Sequence, residues 1–131
     1  MNIIITYVAS FVAFILIDFT WLGFVAKRFY AKYIGQMLAK DVIWSAAVVF
    51  YFMYVAGVYY FAIAPALEKG ELSLAIRNGV LLGLLCYATY DFTNMATLEG
   101  WSWTVVVVDV IWGGVLTGAV AAVGFLVGSR L

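Results

Sequence analysis

A chain of 131 residues that is 67% hydrophobic and 11% charged, with a mean hydropathy of +1.09, has too little polar surface to coat a soluble globule of its size. It belongs in lipid. Seven basic residues balance seven acidic ones, so there is no basic stripe of the kind that nucleic-acid binding needs.

Crossing about 30 Å of hydrocarbon as a helix takes about 20 mostly apolar residues. Four stretches qualify, at about 3–26, 42–64, 73–97 and 102–127. They predict an all-α, polytopic membrane protein: a four-transmembrane-helix bundle forming one domain over residues 1–131. The first stretch has no basic segment before it and no cleavage pattern after it, so it reads as a retained helix and not as a signal peptide. It carries Asp18.

The connection KRFYAKYIGQMLAKD, residues 27–41, holds four of the seven cations. It is expected to lie in the interface, with Phe29, Tyr30, Tyr33 and Ile34 toward lipid and Lys27, Arg28, Lys32 and Lys40 toward headgroups. The positive-inside rule then places this loop in the cytoplasm and both termini outside, with Arg130 a weak counter-signal. The second helix is expected to end at Pro65, the only proline, because proline lacks an amide donor. The third helix carries Asp91 and the fourth Asp109. The single cysteine, Cys86, allows no intrachain disulfide and reads as a small apolar residue.

The first and third helices end, and the fourth begins, on the side of loops one and three. Counted from that side at about 1.5 Å per residue, Asp18 lies about 12 Å deep, Asp91 about 9 Å and Asp109 about 10 Å. Three carboxyls from three helices thus fall at one level. An aspartate near a helix centre costs about 2.5 to 3.5 kcal/mol, so each should face the protein interior or water.

Helical phase adds neighbours. Tyr87, Asp91, Asn94 and Leu98 share a stripe of the third helix, with Tyr90, Thr93 and Thr97 beside it. Trp21 and Trp112 stand three residues after Asp18 and Asp109, where an indole N–H can serve a carboxylate while its ring walls a pocket. A weak internal echo accompanies this spacing: DFT occurs at Asp18 and again at Asp91, and DxxW at Asp18 and Asp109. Trp101 and Trp103, at a helix boundary, read instead as interfacial belt residues. Tyr51 or Tyr54 can line a pocket or simply pack. Gly79 and Gly83, with Gly114, Gly118 and Ala122, allow close helix approach, in a tight bundle or a homodimer.

DFTWLG around Asp18, VVFYFMYVAGVYYF in the second helix, YATYDFTNMATLEGW around Asp91 and DVIWGG at Asp109 resemble, over nearly the whole chain, a family of small bacterial inner-membrane proteins catalogued as a domain of unknown function. YDFTNMAT is the most specific segment. The resemblance implies four helices in the cell inner membrane and polar positions at Asp18, Trp21, Asp91, Thr93, Asn94, Thr97, Asp109 and Trp112. It brings no established activity, and it inclines the reading toward a lipid-linked role.

The candidate ligand-binding set is therefore Asp18, Trp21, Tyr87, Asp91, Thr93, Asn94, Thr97, Asp109 and Trp112. Carboxylates sharing a low-dielectric site cannot all be ionised, so a shared proton is expected. Three oxygens would suit magnesium, but without histidine or a local carboxylate motif no metal and no cofactor is expected. Three function classes remain. One is binding or proton-coupled transport of a small polar or amphiphilic ligand. Another is an enzyme using carboxylate acid–base chemistry on a lipid or isoprenoid. The third is a non-catalytic membrane subunit docking through loop one. Against all three stands an interhelical hydrogen-bond clamp with no chemistry. A carrier needs access from both sides, whereas an enzyme can keep a closed floor.

Overall fold

The computed structural model describes residues 2–131. Among them are four helices long and apolar enough to cross a membrane, Ile3–Met37, Trp44–Lys69, Leu72–Thr97 and Trp103–Gly128. The chain is a membrane protein built wholly of helices.

The first span is a composite. Helix α1 (Ile3–Trp21) starts where the Asn2 side chain accepts the Ile5 amide at 3.1 Å, an N-cap that satisfies one of the free donors of the first turn. A π-turn over Leu22–Ala26 then leads into α2 (Lys27–Ile34) and a short 3-10 turn, Gly35–Met37. Loop one is therefore largely helical and continuous with the first span. Tyr30 and Ile34 depart from their expected lipid-facing position. Ile34 is buried and the Tyr30 hydroxyl reaches Asp109, because a phenol tip and a carboxyl satisfy one another better than either is satisfied by hydrocarbon.

The second span comprises α3 (Trp44–Val58), a π-turn over Tyr59–Ile63 and α4 (Ala64–Lys69), ending at Gly70 with φ 71°. Pro65 does not end this helix, contrary to expectation, but sits in the first turn of α4. A proline in a helix leaves the carbonyl four residues earlier without a donor. Here that carbonyl belongs to Phe61, and it accepts the side-chain amide of Asn78 from the third span at 3.2 Å. A neighbouring helix thus supplies the hydrogen bond that the proline cannot.

Helix α5 (Leu72–Thr97) and helix α6 (Trp103–Gly128, capped by Ser102) form the closest pair. Their backbones approach through glycines. A methyl added at Gly79 would lie 2.8 Å from the Ala121 Cβ, and one at Gly118 would lie 2.6 Å from a Val80 methyl. The small-residue spacing serves contact within this chain. Below the level of the aspartates the bundle is filled by Phe14, Val55, Val58, Ile63, Leu116 and Val120, all fully buried.

Candidate functional site

Above that packed layer lies a cavity of about 580 Å³, within the size range of small-molecule sites. Asp18 of α1, Tyr54 of α3, Tyr87 and Tyr90 of α5, and Asp109 and Trp112 of α6 line it. Tyr30 and Ile34 of α2, with Leu38, close over the end toward loops one and three. There the 3-10 turn reaches the α5–α6 connection: a methyl added at Gly100 would lie 3.0 Å from Met37 Cε and 3.3 Å from Gln36 Nε2.

Each carboxyl has a different environment. Asp18 accepts the Trp112 indole N–H at 3.3 Å, and Asp109 accepts the Tyr30 hydroxyl. Asp91 is fully buried and stands against Asp109, within hydrogen-bonding reach of it and of the Trp101 indole. Neither of these Asp91 contacts closes with full hydrogen-bond geometry, however. Both Asp91 oxygens and the indole nitrogens of Trp101 and Trp21 are buried without a partner. Deprotonated carboxylates only accept hydrogen bonds, so a bond between Asp91 and Asp109 needs a proton on one of them. No basic residue lines the cavity. Among the described residues, no three His, Cys, Asp or Glu side chains are grouped to hold a metal ion.

The DxxW echo acquires a geometry. Trp21 and Trp112 stack with ring centroids 4.4 Å apart and planes 10° from parallel. Trp112 serves Asp18 on the opposite helix and not Asp109 on its own. Beneath them, the Tyr54 hydroxyl shares a hydrogen bond of 2.6 Å with Thr117, and Tyr54 meets Tyr87 edge to face with centroids 6.2 Å apart. These pairs fix the aromatic walls at the junction with the packed floor.

The family model described as predicted membrane protein DUF2177 matches residues 3–126. The chain belongs to the DUF2177 family. No curated protein and no solved structure matches it.

In this DUF2177 protein, Asp18, Trp21, Tyr87, Asp109 and Trp112 line the cavity together, and Asp91 lies directly behind Asp109. Thr93, Asn94 and Thr97 stand outside the lining. Thr93 and Thr97 are exposed and donate to carbonyls of their own helix, Thr97 to Thr93 at 2.8 Å and Thr93 to Tyr90 at 3.0 Å. Such local bonding lets a hydroxyl sit on an outer face without a tertiary partner.

Tyr30, Tyr90 and Trp101 are lining residues absent from the sequence-derived set. Tyr90 adjoins Asp91 in sequence, and its ring meets Trp101 edge to face at 5.8 Å. Trp101 is thus turned inward toward the cavity, whereas Trp103 is 59% exposed. Cys86 also lines the cavity and is half-buried. Tyr54 lines it too, but Tyr51 does not.

Proposed function

We propose that this DUF2177 protein binds a small polar or amphiphilic molecule at the Asp18, Asp91 and Asp109 cluster, with one proton shared between Asp91 and Asp109. The observation that carries the reading is a cavity lined by Asp18 and Asp109 with no lysine or arginine to neutralise them, and with the Asp91 carboxyl buried against Asp109. A packing clamp would have closed the bundle around these carboxyls, whereas a cavity of about 580 Å³ lies in front of them. Binding a donor-bearing or cationic ligand would release the shared proton, which couples occupancy to pH.

Infrared difference spectra of the protein in lipid, recorded across a pH titration, test the shared proton. A protonated-carboxyl band is expected at neutral pH in the wild type and lost there in both Asp91→Asn and Asp109→Asn; its absence from the wild type at neutral pH refutes the sharing. Native mass spectrometry of protein released from membranes tests binding. A retained small molecule should be lost in Asp109→Asn, and identical spectra would refute a ligand site.

A second reading is favoured by the fully buried layer of Phe14, Val58 and Leu116 beneath the cavity. A closed floor suits an enzyme working from one side, with the protonated member of the Asp91–Asp109 pair as general acid, better than a carrier. Lipid extracts from cells carrying the wild type or Asp109→Asn should then differ. In either reading the basic loop one faces the cytoplasm of the inner membrane.

A further inference from the structure

The walls of the cavity differ in how firmly they are closed. At the loop end, α2 and the following turn cover it, held by the Tyr30–Asp109 hydrogen bond and by the approach of Gln36 and Met37 to Gly100. At the opposite end lies the buried apolar layer. Helices α5 and α6 are sealed against one another by their glycine contacts. The second and third spans are different. Helix α5 meets the second span at the Tyr59–Ile63 turn and not along the first half of α3. Phe50 on α3 is 46% exposed and Cys86 on α5 is half-buried, yet both line the cavity. Exposed lining residues on two helices whose backbones do not meet at that level mark an opening between them. This one faces hydrocarbon, because Met53 on α3 and Leu85 on α5 beside it are exposed apolar residues of membrane spans.

The lining also states what head group is suited. Asp18 and Asp109 stand in it with Asp91 behind, and no lysine or arginine neutralises them. An anionic head would meet only like charge. A cation would meet carboxylates together with the aromatic rings of Trp21, Trp112, Tyr87 and Tyr90 that line the same cavity, a combination that favours alkylammonium groups through cation–π attraction.

We infer that the ligand is a membrane-resident, long-chain amphiphile with a cationic ammonium head, which enters sideways from the bilayer between α3 and α5. The inference rests on the carboxylate site proposed above. Its head occupies the acid-lined cavity, and its chain leaves through the gap beside Phe50 and Cys86.

Cys86 is the only thiol in these 131 residues, so it reports on the gap without engineering. The protein in lipid nanodiscs is treated with N-dodecylmaleimide, which partitions into the bilayer, or with a maleimide carried on polyethylene glycol. Modification by the dodecyl reagent should be at least about tenfold faster. Phe50→Trp, which fills the gap at an exposed position, should slow it several-fold. Dodecyltrimethylammonium should protect Cys86, dodecanoate should not, and protection should weaken roughly tenfold in Asp109→Asn, the loss of one charge-assisted contact.

Equal rates for the two reagents, or no effect of Phe50→Trp, overturn sideways entry. Equal protection by dodecanoate overturns the cationic head. Full protection retained in Asp109→Asn overturns the carboxylate site itself, whereas its loss there with Phe50→Trp silent overturns the route alone.

Discussion

Replacing Gly83 by alanine tests how the closest helix pair supports the cavity. The added methyl would fall onto the backbone carbonyl of Gly113 and lie 2.6 Å from Thr117 Oγ1. Overpacking a filled interior costs about 1 to 3 kcal/mol, and a backbone carbonyl cannot swing aside as a side chain can, so about 3 kcal/mol is expected. Gly57 is the control: its added methyl would meet nothing within 4 Å, and alanine there should change stability by no more than about 0.5 kcal/mol. The difference exceeds tenfold in the folded-to-unfolded ratio. Unfolding in mixed micelles titrated with sodium dodecyl sulfate, followed by tryptophan fluorescence, reads it directly. The displaced Thr117 is the partner of Tyr54, so Gly83→Ala should also disturb the cavity floor. Coincident transitions for Gly83→Ala and Gly57→Ala would refute the close α5–α6 approach.

Asn78→Ala strands the Phe61 carbonyl and should cost about 1 kcal/mol, while the same change in a Pro65→Ala background should cost nearly nothing, because the restored amide serves that carbonyl; equal costs in the two backgrounds would contradict the assigned bond. Tyr30→Phe removes the bond from α2 to Asp109 and should raise hydrogen exchange over residues 27–38 by roughly tenfold; unchanged protection would mean that α2 is held by other contacts. Lys40→Cys, combined with Cys86→Ser, should react with a membrane-impermeant maleimide only after the cytoplasmic face is opened. Labelling of intact cells would reverse the proposed orientation.

The spans were legible because hydrophobic length alone determines what can cross a bilayer. The shared level of the aspartates was legible too, since a helix converts residue number into height. That conversion also bears on the crossed Trp112–Asp18 bond. The fourth helix runs antiparallel to the first, so Trp112, about 15 Å from the loop side, lies near the height of Asp18 at about 12 Å, a turn below Asp109. Side chains lean toward the amino end of their helix, which tips the Trp112 indole up toward Asp18. Periodicity within one helix could not show this, because the partner lies 94 residues away. Tyr30 escaped notice for a related reason: its basic neighbours Lys27, Arg28 and Lys32 speak for an interfacial segment, and only the distant Asp109 gives its hydroxyl a reason to turn inward. Pro65 was misjudged because the donor that rescues Phe61 comes from another span.

The π-turn at Leu22–Ala26 sets the phase of everything after it. A π-turn amounts to one extra residue inserted into an α-helix, and one residue is about 100° of rotation. Removing a single residue from this stretch would barely shorten the first span. It would instead swing Tyr30 and Ile34 away from the cavity and bring a different side of α2, with its lysines, around toward Asp109. The number of residues between Trp21 and Lys27 therefore acts as an angular setting, one that no substitution can reproduce and that a one-residue deletion would change at a stroke.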